Sequence, residues 1–284
     1  MNLRKIAVVG PGLLGGSVAL AIRRFLPEIS ASIWARRESA VADLKERGFD
    51  ATDDLSVACQ GANLVVLATP IGVMADLVRA IGAEATLAES AIVTDVGSVK
   101  SCVVDQLSPI CAEFGARFLG SHPMAGSEKT GLDHATADLF SGARCVLTPT
   151  DETDPDTIRI VGEFWTALGA RTCILDPLAH DRAVARISHL PHAAAAAVVR
   201  AALDSDESAL GLSGGGFRDT TRIAGGAPEM WAEILLENRS EVAAALGDLR
   251  SNLDDLLALL EDRDQAGLTE FLSQAKAKRD RLGD

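Results

Sequence analysis

The chain has 284 residues, 48% of them hydrophobic, and carries 27 Lys and Arg against 40 Asp and Glu, a formal net charge of -13. That length supports a sizeable core and two domains, and the apolar content excludes a disordered chain. The acidic balance argues against a nucleic-acid partner, no apolar run approaches membrane-spanning length, and no leader precedes the first strand, so a cytoplasmic protein without membrane contact is expected. The five cysteines (59, 102, 111, 145 and 173) form no CxxC pair. Reduced thiols and no metal site are expected. There is no tyrosine, which excludes any dehydrogenase chemistry that uses a phenol as acid or base. A proton relay must fall to His, Asp, Glu, Lys or Cys.

Residues 6–9, Ile-Ala-Val-Val, read as a strand. They run into Gly10-Pro11-Gly12-Leu13-Leu14-Gly15-Gly16-Ser17 and then an alanine-rich helical stretch, 18–25, closed by Pro27. Strand, glycine turn and helix make a phosphate-binding unit: Gly10 permits the turn, Gly12 lets the backbone approach a pyrophosphate, and Gly15 lets helix pack on strand. The helix start at Leu13 and Leu14 offers free N–H groups and a positive dipole end. A second strand, 31–34, ends in Ala35-Arg36-Arg37-Glu38. An NAD site places an acid about 20 residues after the glycines to bind the ribose. Here Ala35 is followed by two arginines, whose guanidinium groups suit a 2′-phosphate. NADP is therefore favoured; NAD stays possible, with Glu38 on the ribose.

A helix over 39–47 and a buried strand over 63–68 follow, the strand ending at Thr69-Pro70. After a helix over 73–81 comes a strand over 91–94, with Asp95-Val96-Gly97-Ser98-Val99-Lys100 at its carboxyl end. Ligands bind outside such strand ends, so Thr69, Pro70, Gly97 and Ser98 are expected to flank a nicotinamide. Ser98 can also cap the helix predicted over 99–110. Lys100 reads as structural or near a phosphate rather than catalytic. Residues 118–119 lead into Gly120-Ser121-His122-Pro123-Met124-Ala125-Gly126-Ser127-Glu128-Lys129. Its proline and glycines speak against a helix or a regular strand, so a shaped loop bearing the chemistry is expected. Strands over 143–147 and 171–175 flank a helix over 158–168. The alternation predicts an α/β Rossmann-type doubly wound sheet domain over 1–176.

Past Asp176-Pro177 no strand signal remains. Helices are predicted over 178–186 and 191–203, with Ser188-His189-Leu190-Pro191-His192 between them and an alanine run at 193–197. A glycine-rich loop over 213–222 carries Arg218 and Arg222, and the chain is helical again from Pro228. Val242, Leu246, Leu249, Leu253, Leu256 and Leu260 keep a heptad spacing. A monomer core explains that seam, and so does a helical dimer interface. Residues 177–284 thus read as an all-α substrate and dimerisation domain.

The glycine turn, the 95–100 and 120–128 segments, Ser188-His189-Leu190-Pro191-His192, Gly216-Phe217-Arg218-Asp219-Thr220-Thr221-Arg222 and Met230-Trp231 together resemble the prephenate/arogenate dehydrogenases of tyrosine biosynthesis, in order and along nearly the whole chain. The resemblance implies oxidative decarboxylation of prephenate (or arogenate) to 4-hydroxyphenylpyruvate (or tyrosine) by a homodimer, with hydride passing to a nicotinamide. Such a reaction needs a base at the ring hydroxyl and a fixed cation for a carboxylate. His122 suits the first through a pKa near neutrality and Arg218 the second through its bidentate fork. By resemblance Ser98 bonds His122 on the nicotinamide side, His189 faces the substrate, Ser127 lies with the substrate, and Glu128 sits at the pocket mouth. His192 reads first as a structural histidine, as do His134 and His180; Arg222 is a second cation or a partner of Asp219. The missing acid after the second strand departs from an NAD pattern, and the chain leaves no room for fused mutase or regulatory segments. A hydroxyacid dehydrogenase of similar two-domain fold is a rival, but those use a lysine base and residues 177–275 contain none. A non-catalytic dinucleotide sensor is another, and would need neither His122 nor Arg218.

Overall fold

The computed structural model of the chain describes residues 3–126, 131–204 and 207–282. The first part alternates strands and helices: β1 Lys5–Val9, α1 Leu13–Phe25, β2 Ser30–Trp34, α2 Glu38–Glu46, β3 Asp50–Thr52, α3 Leu55–Cys59, β4 Leu64–Leu67, α4 Ile71–Glu84, β5 Ile92–Asp95, α5 Ser101–Glu113, β6 Arg117–Pro123, β7 Arg144–Thr148, α6 Pro155–Ala167 and β8 Arg171–Ile174. Helices follow: α7 Pro177–Val184, a π-helical segment Ala185–His189, α8 Leu190–Leu203, α9 Gly215–Thr221, α10 Pro228–Glu237, α11 Arg239–Glu261 and α12 Gln265–Asp280. The chain forms two compact units, Met1–Asn238 and Arg239–Asp284. The sheet and helices α1–α10 belong to the first; α11 and α12 make the second.

The eight strands lie in the order β3-β2-β1-β4-β5-β6-β7-β8. Neighbours are parallel except β6 and β7, which run antiparallel. Both faces of the central strands are buried. Ile6 and Val8 of β1 join an apolar cluster with Val18, Ile22 and Trp165, while Ala7 and Val9 join another with Met74, Ile81 and Leu107. A strand covered on both faces has no polar side, hence the unbroken apolar runs in the sequence. Sequence order reverses between β1 and β4, and the turns after these two strands open a crevice at that switch point.

Helix starts follow local chemistry. Asp154 accepts from the N–H of Asp156 and Asp176 from those of Leu178 and Ala179, with Pro155 and Pro177 at the first helical position. A proline fits there because its missing N–H is one the helix leaves unpaired.

Several expectations change. Gly120 to Pro123 is the end of β6, not a loop, with His122 opposite Val146 and Pro123 opposite Cys145. Pro123 is the last residue of its strand, where a missing donor costs the ladder little. The short β3 and α3 carry too few residues for a periodic signal. The expected glycine loop at 213–222 contains helix α9. Ser98 does not cap α5: Lys100 holds the cap position without a side-chain bond. The carboxylate of Asp181 on α7 instead accepts from the N–H groups of Lys100 and Ser101, each at 2.8 Å.

Beneath the carboxyl edge of β5 and β6 lies a fully buried ion pair between Lys100 Nζ and Asp95. Lys100 Nζ also donates to the carbonyl of Ser121 at 3.1 Å, and Asp95 accepts from the N–H groups of Gly97 at 2.8 Å and Ser121 at 3.2 Å. Breaking such a pair from one side leaves an uncompensated buried charge. Lys100→Met should lower unfolding free energy by about 3–5 kcal/mol. Urea titration followed by circular dichroism checks this; a loss within error of zero contradicts it.

Candidate active site

The switch-point crevice is a cavity of about 630 Å³ whose walls include Gly10, Gly12, Arg36, Arg37, Thr69 and Pro70. Gly10 has φ of 105° and a Cβ there would lie 2.6 Å from the Ala68 carbonyl oxygen; at Gly15 it would lie 1.9 Å from the Gly10 oxygen. These two glycines are required by the turn itself. Gly12 is different: a Cβ there would meet nothing within 4 Å. Its bareness leaves room for a ligand. α1 starts at Leu13 without a side-chain cap, so the N–H groups of Leu13 and Leu14 stay available to an anion. Thr69 Oγ1 is buried without a partner. Ala35 is buried, and the two exposed arginines after it reach the same cavity. The donor set fits a dinucleotide, with phosphates at α1.

Near the carboxyl end of β6 stands a cluster of buried imidazoles. His122 is 8% exposed and its Nδ1 lies 2.8 Å from Nε2 of His180 on α7. His180 Nδ1 lies 2.8 Å from Asp181 Oδ1. His189, from the π-helical segment, is 1% exposed; its Nδ1 lies 3.2 Å from the amide nitrogen of Asn238, which also donates to the Asp181 carbonyl at 2.8 Å. Nε2 of His189 is buried and has no partner. His192 stacks on Trp231 with ring centroids 3.5 Å apart, and Gly226 lacks the Cβ that would strike the indole. Burial, with His180 and Lys100 adding to it, holds the His122 imidazolium well below its ordinary range. Burial likewise lowers His189 to about 4 and lowers His192. For Asp181 burial opposes the charge, but His180 and the N–H groups of Ser101 and Lys100 keep its carboxyl below the usual range. The result is that His122, His189 and His192 are held neutral beside one ionised carboxylate.

Ser98 is half-buried and shares no hydrogen bond with His122. The partner expected from resemblance is replaced by His180. Gly97 turns its N–H onto Asp95. Arg218 lies exposed on α9, and no hydrogen bond or ion pair joins it to the imidazole cluster among the described residues. Ser127 and Glu128 lie outside the described residues. Sequence reasoning missed His180, Asp181 and Asn238. A signal existed for the first two. Pro177, His180, Asp181 and Val184 share the buried face of α7, an i, i+3, i+4, i+7 stripe with two polar residues where apolar ones belong.

A glycine turn at the switch point of a doubly wound sheet, with buried histidines at the carboxyl end of β6 in the same sheet, defines a nicotinamide-dependent dehydrogenase. Residues 18–174 match the family described as prephenate dehydrogenase, nucleotide-binding domain, and residues 176–274 match prephenate dehydrogenase, dimerization domain. The cyclohexadienyl dehydrogenase of Zymomonas mobilis is 30% identical over 97% of this chain and 95% of its own. The crystal structure of A. aeolicus prephenate dehydrogenase with hydroxyphenyl propionate and NAD+ is similar, with a TM-score of 0.91, 31% identity and 99% of both chains covered. Synechocystis arogenate dehydrogenase superposes with a TM-score of 0.82 and 34% identity over 98% of this chain and 99% of that one. The chain belongs to the prephenate dehydrogenase family: it is a dehydrogenase of tyrosine biosynthesis that uses a nicotinamide cofactor.

The lowered histidine pKa values set an acid limit to stability. An unfolded histidine binds its proton near pH 6.5, whereas folded His122 and His189 resist it, so the unfolded state takes up more protons as pH falls. Their contribution is complete above pH 6.5 and declines toward the folded value, about 4 for His189. Unfolding free energy should drop between these limits, and His189→Gln should flatten the slope. An unchanged slope in denaturant titrations across that window contradicts the assignment.

Proposed function

We propose that the enzyme oxidatively decarboxylates prephenate or arogenate, to 4-hydroxyphenylpyruvate or tyrosine, with NADP as the favoured acceptor. The observation that carries the chemistry is His122: a buried imidazole, held neutral, on a strand end paired with β7. A neutral imidazole accepts a proton, and burial spares it from competition with water. His122 takes the proton of the ring hydroxyl as the C4–O bond gains double-bond character. The bound nicotinamide supplies the hydride acceptor for C4. Loss of carbon dioxide from C1 then makes the ring aromatic. Arg218 holds a substrate carboxylate and His189 faces the substrate; Ser127 and Glu128, outside the described residues, are substrate-binding by resemblance. Thr69, Pro70, Gly97 and Ser98 flank the nicotinamide; Gly10, Gly12, Leu13, Leu14 and Gly15 hold the phosphates.

Residues 1–176 bind the dinucleotide, and residues 177–284 supply substrate contacts and the dimer. The chain works as a homodimer, consistent with its match to a dimerization domain. The heptad positions Leu246, Leu253 and Leu260 are 39%, 55% and 56% exposed in the single chain, as a surface awaiting a second copy would be. A reducing cytoplasm suits the five free thiols.

The direct test follows the absorbance of reduced nicotinamide with prephenate or arogenate and each cofactor. His122→Asn should lower kcat about 100- to 10,000-fold, leave cofactor affinity intact and abolish the acid limb of the rate profile. In the wild type that limb should lie well below pH 6.5. A His122→Asn enzyme with normal kcat overturns the role.

The NADP reading rests on Arg36 and Arg37 at the cavity wall, with alanine where an acid would select NAD. Replacing both arginines by alanine should weaken NADP binding far more than NAD binding. Equal losses, or a wild type that strongly prefers NAD, contradict it.

A further inference from the structure

We propose that Asp181 sets two active-site imidazoles in opposite tautomers, making His122 a proton acceptor at Nε2 through His180 and His189 a proton donor at Nε2 through Asn238. The proposal rests on the reading of His122 as the base and adds how that base is held. His180, Asp181 and Asn238 act as positioning residues.

The argument counts donors and acceptors. Asp181 is an ionised carboxylate, since two backbone N–H groups and a ring nitrogen converge on it. An ionised carboxylate only accepts. The ring nitrogen facing it, Nδ1 of His180, must therefore carry hydrogen. The two ring nitrogens that face each other at 2.8 Å, Nε2 of His180 and Nδ1 of His122, share one hydrogen; we place it on His122, so Nε2 of His180 is the acceptor and Nδ1 of His122 the donor. The single hydrogen of neutral His122 is then on Nδ1, and its lone pair is on Nε2, which has no partner among the described residues. That is the protonation state a base requires. Without an acceptor at Nδ1 the hydrogen would be free to sit on Nε2 and block the step.

The second branch starts from the same residue. The Asn238 amide nitrogen donates one hydrogen to the carbonyl of Asp181. Its other hydrogen faces Nδ1 of His189. An amide NH2 cannot accept, so Nδ1 of His189 does, and the ring hydrogen goes to Nε2. That N–H is buried and unpartnered. A buried orphan donor is costly until an oxygen meets it, and a substrate oxygen would do so.

The same connections handle charge during turnover. When the substrate O–H proton reaches Nε2 of His122, the ring becomes an imidazolium with a strengthened Nδ1–H bond to His180. Asp181 stays ionised and balances the new charge through the intervening ring; no bond to Asp181 breaks. Lys100, beside His122, is already matched by Asp95, and His189 is neutral, so among the described residues Asp181 is the carboxylate left to balance that charge.

The test begins on substrate-free wild-type dimer with ring-15N histidine, using His122→Asn and His189→Gln spectra to assign signals. The expected spectrum at neutral pH has His122 protonated at Nδ1 and bare at Nε2, and His189 the reverse. His122 protonated at Nε2, or either ring averaging between tautomers, overturns the proposal. This measurement needs no turnover, so it stands apart from the assay of prephenate and arogenate, which decides the function. Kinetics supply the second readout. His180→Phe removes the acceptor and should lower kcat about 100-fold with KM and cofactor affinity little changed. His180→Gln places a carbonyl oxygen within reach of Nδ1 and should restore part of that loss. Equal kcat in all three proteins contradicts the relay, as does a Phe variant whose His122 keeps the wild-type tautomer.

Discussion

The buried pair of Lys100 and Asp95 is the constraint on which the site depends. It joins three places that would otherwise be independent: the end of β5, the turn before α5, and the β6 residue next to His122. Trp165 Nε1 donates to the Ser121 hydroxyl at 3.0 Å, and that hydroxyl donates to the Asp95 carbonyl at 2.5 Å, so α6 joins the same lattice. Two opposite charges that also bond to backbone groups, as these do, are tolerable in a core; either one alone is not. The pair therefore has one arrangement, and His122 inherits it.

From that floor the site is built upward by α7. Its N-terminus is fixed by the Asp176 cap, and its buried face carries His180 and Asp181. Asp181 then fixes the start of α5 from outside, a position where the helix has no side-chain cap of its own. The π-helical segment after α7 inserts an extra residue per turn and brings His189 inward, a use of π geometry common at functional sites. One carboxylate thus orders a helix start and the imidazoles around it.

Much of this was legible in the sequence, and the remainder has identifiable reasons. The glycine turn was readable because Gly10, Gly12 and Gly15 answer to different physical demands at fixed spacing. His122 stood out in a segment unlike its neighbours, although the proline that marked it led to a loop where the chain forms a strand. A strand's last residue escapes the hydrogen-bond rule used to exclude it. His180 was passed over because a histidine on a helix has many bland explanations; only the tertiary pairing with His122 across 58 residues gives it a role. Asn238 carried no local mark at all, since its partners come from α7 and the π-helical segment. Expectation and structure part wherever the deciding contact is long-range.

The reversal of direction at β7 has a mechanical consequence. A parallel successor to β6 would need a crossover helix, whereas an antiparallel one lets the intervening chain stay on the carboxyl side of the sheet. Part of that chain lies against α1: Leu132 and Ala135 occupy the space a side chain at Gly16 would need, Thr136 N–H donates to Ser17 at 3.1 Å, and Asp138 pairs with Arg24 at 2.6 Å. Residues 132–138 are thereby fastened to α1, the helix that follows the glycine turn. They act as a brace on that helix, so a change that loosens them also loosens the helix start behind the turn.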